Sequence, residues 1–523
     1  MSVPDAVVRI PAYPLPDRSV IQPRAPADGF AEIGPGRTLT ADVVIVGTGP
    51  GGAAAARVLA AGGLKVVLLE EGPSTSRFAR NHAHTARYHM QEGGLVLARG
   101  PVGIPVAAGR GVGGGTLVNS ALSFRTPNEV LAHWATLLDE EGWGPDEMTR
   151  LYEEVEPIVG VHITLPEVAG GNNALIARGV AALGHSGGLA PRSTPGCVGC
   201  GVCNFGCPSN GKASTNLTFL PQAVANGALI QAEVKVVEVL VEGGRAVGLR
   251  GHAVHPDTGA IGGEVVVRAP RVVLSAGAIG TPRLLWRCGL AAQMGPVGEG
   301  LHIHPGNAVI GICDERIELW KGATQGAFFT AAHLPGVLPH TFTAPPEACL
   351  TAIGAVGPRL AEGLDLLPHL CGLIVMVSDD SQGQVRAFGD GRANITYDLL
   401  DSDVVRIKAG MVESAKVLAA GGAHTFTAPI HGIGRHRSVE AFAAALESRQ
   451  PSDFVMYSAH PQSTMRMGKD PATSVLAPSG EAHTIPGLWV ADASVFPTSL
   501  GVNPQLTTMA AGTRIGRTLL ARG

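Results

Sequence analysis

Residues 42–72 read 42-DVVIVGTGPGGAAAARVLAAGGLKVVLLEEG-72. The run up to Val46 is apolar without alternation, as expected of a strand buried on both faces of a parallel sheet. It stops at 47-GTGPGG-52, and an alanine-rich segment with strong helix propensity follows. A second apolar run, 64-LKVVLLEEG-72, then ends in acid. Strand, G-x-G-x-x-G, helix, strand and acid together form a dinucleotide-binding unit. Gly47 permits the tight turn, Gly49 lets a pyrophosphate approach the backbone, and Gly52 lets the helix pack on the sheet. The phosphates are expected at the helix N-terminus, where free N–H groups and the positive end of the helix dipole meet. Glu70 stands where a carboxylate can bind ribose hydroxyls.

Three further glycine-rich segments lie far along the chain. One is 109-GRGVGGGTLVN-119, which suits neither the interior of a helix nor that of a strand. Another, 272-VVLSAGAIGTPRLLWRCG-289, reads as a strand, a glycine turn and a helix started by Pro282. At the C-terminus, 487-GLWVADASVFPTSLGVNPQLTTMAAGTRIGRTLL-520 gives a strand ending near Asp492, a loop, and a helix from about Pro504. One nucleotide domain assembled from distant segments implies a second domain inserted between them. The chain of 523 residues is long enough for two.

The bulk properties narrow the function. Net charge is −4 and there is no basic stripe, which argues against nucleic acid as a partner. No window reaches 18 apolar residues free of charge or proline, so no transmembrane helix is expected. The segment 1-MSVPDAVVRIPAYPLPDRSV-20 has neither the basic start nor the continuous apolar run of a secretory signal, and reads as an extended arm. Cytoplasmic residence is the default expectation.

Four of the eight cysteines fall in 197-CVGCGVCNFGCP-208. Their spacing, C-x2-C-x2-C-x3-C-P, is that of a bacterial iron–sulfur ligand run. Three readings stand open for Cys197, Cys200, Cys203 and Cys207: an iron–sulfur cluster, a structural zinc site, or a structural loop of free or locally bridged thiols. The scattered Cys288, Cys313, Cys349 and Cys371 read as small buried hydrophobes.

From about residue 40 onward the sequence resembles the glucose–methanol–choline (GMC) family of flavoprotein oxidoreductases. The motifs are GTGPGG with Glu70, GRGVGGGTLVN, SAGAIGTPRLL, 298-GEGLHIHP-305, 457-YSAHPQSTMRMG-468 and 501-GVNPQLTTMA-510. Within the family, GRGVGGGTLVN, SFRTP and 206-GCPSNGKAST-215 are most similar to the bacterial long-chain alcohol oxidase and cholesterol-oxidase-like branch. The resemblance implies an α/β fold: a Rossmann-like FAD-binding domain (41–125, 216–310 and 481–523) interleaved with an antiparallel-sheet substrate domain (126–215 and 311–480), after an arm over 1–40. The Cys-rich loop 197–208 falls in the substrate domain. It also implies that Gly47, Gly49, Gly52 and Glu70 bind the ADP half of FAD, with the Val236 backbone on adenine. Gly114, Gly115 and Asn119 would line the flavin, and Asp492 and Ala493 would hold the pyrophosphate and ring end. Some relatives tether FAD through a histidine in the second glycine-rich loop; this loop carries Leu117 and Val118 instead, so noncovalent FAD is expected.

Removing a hydride from an alcohol carbon also requires losing the hydroxyl proton, so a base or alkoxide stabiliser must stand beside the flavin N5. Histidine suits that task. By resemblance His460 takes it and Asn503 donates to the substrate oxygen. His302 and His304, in LHIHP, are read as structural, and Asp379 and Asp380 as a strand-end turn. Aromatic content of 4% and aliphatic stretches such as 366-LLPHLCGLIVMV-377 favour an apolar alcohol over a sugar. Reoxidation would be by O2 or another acceptor. The alternatives are a dehydrogenase wiring electrons through an iron–sulfur cluster, and a non-redox flavin lyase or decarboxylase.

Overall fold

The computed structural model describes residues 6–522 apart from 76, 77, 80, 95 and 356. A parallel five-stranded sheet forms the nucleotide half, in the order Leu488–Val490, Arg271–Leu274, Val43–Val46, Val66–Leu69, Leu229–Gln231. Both runs of the opening stretch are its central strands, and every residue of Val43–Val46 and Val66–Leu69 is buried. The helix Pro50–Ala61 leaves the first strand and crosses the C-terminal helix Gln505–Ala521. Small residues make that crossing possible: a Cβ on Gly512 would lie 2.4 Å from the Gly51 carbonyl oxygen.

A six-stranded antiparallel sheet forms the other half, in the order Ala423–Thr427, Gly306–Cys313, Leu370–Val377, Val337–Thr341, Ala327–Thr330, Ser186–Leu189. The 21-residue helix Asp401–Gly421 packs on it. A five-stranded sheet joins Leu97–Arg99 and Ile104–Pro105 to Ala393–Asp398, Gln382–Ala387 and Glu299–Leu301. A further sheet pairs Val234–Glu242, Arg245–Val254 and Ile261–Arg268 with Gly36–Thr40. The fold is thus mixed α/β, with parallel and antiparallel sheets built from interleaved segments. Among the described residues no helix is long and apolar enough to cross a membrane.

One helix boundary differs from the sequence reading. Gly277–Arg287 begins five residues before Pro282, which therefore sits inside the helix. A proline there strips the carbonyl four residues earlier of its N–H partner. That carbonyl belongs to Ala278, and the Thr464 hydroxyl donates to it at 2.7 Å. A residue almost two hundred positions away thus satisfies the group that the proline leaves free.

Candidate active site

The two halves enclose a cavity of about 590 Å³, within the roughly 300–1,000 Å³ that holds one cofactor- or drug-sized ligand. Gly47, Gly49, Glu70, Gly114, Gly115, Asn119, Val236, Asp492, Ala493, His460 and Asn503 all line it. Among the expected binding residues Gly52 alone lies outside, packed in the helix–sheet joint: a Cβ there would meet the Gly47 carbonyl oxygen at 2.4 Å. Gly47 has φ +93°, and a Cβ on it would lie 2.3 Å from the Ser275 carbonyl oxygen.

FAD fits this wall. A Cβ built on Gly115 or Gly277 meets nothing within 4 Å, and one on Gly49 meets only the Gly114 Cα at 4.0 Å. These glycines leave bare backbone at the cavity, beside the N-terminus of the helix Pro50–Ala61, whose first N–H groups have no partner within the helix. Asp492 is braced by the Gly277 N–H (2.9 Å) and the Thr281 hydroxyl (2.6 Å). Burial raises its pKa, against those donors and Ser494. The Glu70 carboxylate accepts from the N–H groups of Thr48 (3.1 Å), Gly72 (3.0 Å) and Gly111 (3.0 Å) and from the Thr48 hydroxyl (2.8 Å), so it also ties the first glycine loop to the second. Val118 lines the cavity and Leu117 is buried beneath it.

At the other end the Asn503 side-chain amide donates to His460 Nε2 at 3.0 Å, and Asn503 Oδ1, buried, has no partner. His304 stands edge-on to His460, with ring centroids 5.4 Å apart. Its Nε2 accepts from Gln462 Nε2 (3.0 Å) and the Gly501 N–H (3.2 Å). Enclosure, then the neighbouring His304 and His340, holds the His460 pKa well below the ordinary histidine value. The ring is therefore neutral at pH 7, with a lone pair able to take a proton.

The sequence reading left Asp379 as a turn residue, but it is a buried hub. Its oxygens accept from the Ile303 N–H (2.8 Å), the Tyr397 hydroxyl (2.7 Å) and the Ser499 hydroxyl (2.9 Å), and His302 Nδ1 lies 3.6 Å away. Burial pushes its pKa up, but His302, His304 and the Ile303 N–H outweigh that and hold it below the usual carboxylate range. His302 lies against this hub, and His304, two residues on with φ +52°, lines the cavity beside His460. The reading also missed His340, on the antiparallel sheet, and Gln325, in the turn before the strand Ala327–Thr330, which both line the cavity.

These buried histidines make stability pH-dependent. Burial lowers the pKa of His304 and His340 to about 4, against about 6.5 in an unfolded chain. Between those values the unfolded chain binds more protons, so stability is full above pH 6.5 and is lost as pH falls toward 4. Each histidine contributes on the order of 3 kcal/mol to that loss. The melting temperature of the holoprotein should fall steadily between pH 7 and pH 5; an unchanged value would mean the rings titrate freely.

The cysteine loop reaches the same site from behind, without forming a ligand set. All four thiols are free, and among the described residues no three His, Cys, Asp or Glu side chains gather to hold a metal ion. The iron–sulfur reading is therefore not supported, and neither is zinc. The physical reason is the direction of Cys203, which turns into the core, where the Arg192 Nη2 donates to its sulfur at 3.3 Å. Lys212 Nζ donates to the carbonyl oxygens of Leu117 (2.8 Å), Asn119 (2.8 Å) and Cys203 (3.0 Å). Burial raises the Cys203 pKa, but Arg192 and Lys212 reverse that and lower it.

Comparison with known proteins agrees with this geometry. Residues 86–306 and 379–512 match the GMC oxidoreductase family, and residues 40–98 match an FAD-binding domain. A GMC-type oxidoreductase of Mycobacterium tuberculosis is 34% identical over 477 residues, covering 90% of this chain and 74% of its own. A long-chain-alcohol oxidase of Arabidopsis thaliana is 31% identical, covering 91% and 68%. Pyridoxine 4-oxidase from Mesorbium loti superposes with a TM-score of 0.69 at 18% identity, over 91% of this chain and 98% of that one, which speaks for the fold. With its glycine cradle, its FAD-binding segment and its family match over both halves, the chain belongs to the GMC oxidoreductases, which are flavin-dependent enzymes.

Proposed function

We propose that this protein oxidises an apolar alcohol to an aldehyde or ketone, with His460 and Asn503 at the reacting oxygen. The observation that carries this reading is the pairing of a neutral imidazole with a side-chain amide at 3.0 Å inside the cavity. FAD, when bound, supplies the two-electron acceptor for the hydride leaving the alcohol carbon. The hydroxyl enters between the two side chains. Its proton passes to His460 Nε2, and its oxygen accepts an N–H from Asn503. The apolar Val118, Leu122, Ile374 and Met376 line the same cavity, which suits an apolar substrate. Relatives named as long-chain-alcohol oxidase and cholesterol oxidase support an apolar alcohol as substrate. The same reading assigns 41–125, 216–310 and 481–523 to FAD binding, and 126–215 and 311–480 to the substrate side.

Anaerobic mixing with a primary alkanol tests the proposal. The oxidised-flavin absorbance should bleach within the dead time of manual mixing and return on admitting air or an artificial acceptor; which of the two restores it identifies the reoxidant. If no alcohol bleaches the flavin, redox chemistry on alcohols is excluded and the non-redox lyase or decarboxylase reading takes its place.

A further inference from the structure

The substrate side of the cavity carries one polar device that the alcohol chemistry does not use. His340 and Gln325 line the cavity together, on a wall that also carries the apolar Leu122, Ile374 and Met376. His340 lies on the strand Val337–Thr341 and is 2% exposed. Its Nδ1 lies 3.1 Å from the carbonyl oxygen of Ile374, its cross-strand partner. A carbonyl only accepts, so Nδ1 carries the proton and Nε2 is left as a lone pair. That lone pair takes an N–H from Gln325 Nε2 at 3.1 Å.

This bond fixes the glutamine's orientation. Its nitrogen faces the histidine, and Gln325 Oε1 accepts no hydrogen bond among the described residues. The second N–H of the same amide is also unclaimed. The pair therefore offers the cavity one acceptor and one donor. Gln325 holds this position with φ +53°, in the left-handed region that costs a residue with a Cβ about 1 kcal/mol. Such strain persists where the surroundings dictate the conformation. Burial keeps His340 neutral at pH 7, so the pair carries no charge with which to bind a carboxylate or an ammonium group.

We infer that Gln325 and His340 form a recognition site for a second, uncharged oxygen function on the substrate. The substrate class is then an apolar alcohol bearing another hydroxyl or carbonyl group away from the reacting carbon, rather than a plain fatty alcohol. Its far oxygen donates to Gln325 Oε1 if it is a hydroxyl, and accepts the free amide N–H in either case. This inference rests on the alcohol-oxidation reading proposed above. A site with unmet hydrogen-bonding groups discriminates strongly against a ligand that leaves them unmet.

The test compares 1-decanol with the 1,4-, 1,6- and 1,10-decanediols in anaerobic flavin reduction and in steady-state kcat/KM. At one spacing the wild-type protein should prefer the diol by about tenfold or more. Gln325→Met should erase that preference while changing 1-decanol by less than about threefold. Equal kcat/KM for the monool and every diol in the wild type overturns the inference, as does a variant that depresses both substrates in proportion. His340→Phe should likewise erase the preference, read as the ratio of diol to monool because His340 also neighbours His460; where it fails to fold, Gln325→Met carries the comparison. If 1-decanol and the diols all leave the flavin oxidised, the alcohol reading has failed, and binding alone judges the pair. Diol-induced shifts of the flavin spectrum should then saturate at lower concentration than those of 1-decanol in the wild type but not in Gln325→Met. Equal saturation in the two proteins overturns the site.

Discussion

Replacing His460 with alanine should slow flavin reduction by alcohol about 10²–10⁴-fold, the usual contribution of a positioned proton acceptor, while FAD stays bound at the wild-type ratio. The two halves of that result have separate origins. His460 stands at the substrate end of the cavity, hydrogen-bonded to Asn503 and flanked by His304. The glycine loops, Glu70 and Asp492, which frame the cofactor end, do not hydrogen-bond to it. Removing the ring takes the proton acceptor from the reacting hydroxyl and leaves the cradle intact. Because the wild-type ring is held neutral, its lone pair is already present at pH 7, and the reduction rate should stay level between pH 6.5 and 8. Stopped-flow reduction under nitrogen, with flavin content read from the visible spectrum, measures both quantities. A variant that reduces its flavin at the wild-type rate would falsify the assignment of His460; a variant that loses its flavin would move His460 to the cofactor-binding residues.

What could be read along the chain was chemistry fixed by near neighbours. The two central strands are uninterrupted apolar runs because each is covered on both faces, and that pattern needs no knowledge of the partner strands. The glycines of the first loop are legible for the same reason. Even there the tightest position went unremarked: a Cβ on Gly51 would fall 1.8 Å from the Ala491 carbonyl oxygen, which arrives from the far end of the chain. Direction, by contrast, was illegible. Nothing in LHIHP says that His302 faces Asp379 while His304 faces His460. Nothing in 337-VLPHT-341 says that His340 opens on the cavity, since that depends on the register His340–Ile374 across the sheet. The cysteines illustrate the same limit. Their spacing is that of a ligand run, but ligation needs the sulfurs to converge as a set, and the Cys203 sulfur takes a hydrogen bond from the buried Arg192 instead. Pro282 was read by its usual preference for a helix start, which Thr464 overrides by filling the gap that the proline makes.

The largest effect on cohesion is expected from Lys212→Met, because one ammonium group joins the cysteine loop to the second glycine loop at the cavity wall. Lys212 is 2% exposed and its neighbour Arg192 is fully buried. Neither forms a salt bridge with a carboxylate among the described residues. Lys212 serves the carbonyls of Leu117, Asn119 and Cys203, and Arg192 serves Ser120 through two hydrogen bonds of 3.1 and 2.9 Å. Methionine fills the same space without a donor and leaves the buried carbonyls of Leu117 and Asn119 bare, at about 1–3 kcal/mol each, while that of Cys203 keeps the Gly206 N–H at 3.2 Å. Against that stands a gain: burial lowers the Lys212 pKa to about 8, so keeping its charge at pH 7 already costs on the order of 3 kcal/mol. The net loss is therefore set at up to about 3 kcal/mol, which in a chain of this length lowers the melting temperature by roughly 3 °C. The loss should appear first as flavin release, since Leu117 and Asn119 belong to the loop at the cavity wall. A thermal scan that follows flavin fluorescence and far-ultraviolet dichroism together should show fluorescence rising several degrees before the fold melts. If both signals coincide with the wild type within about 1 °C, the gain from discharging the lysine has cancelled the three lost bonds. The cysteine loop would then be held by Arg192 and its own backbone.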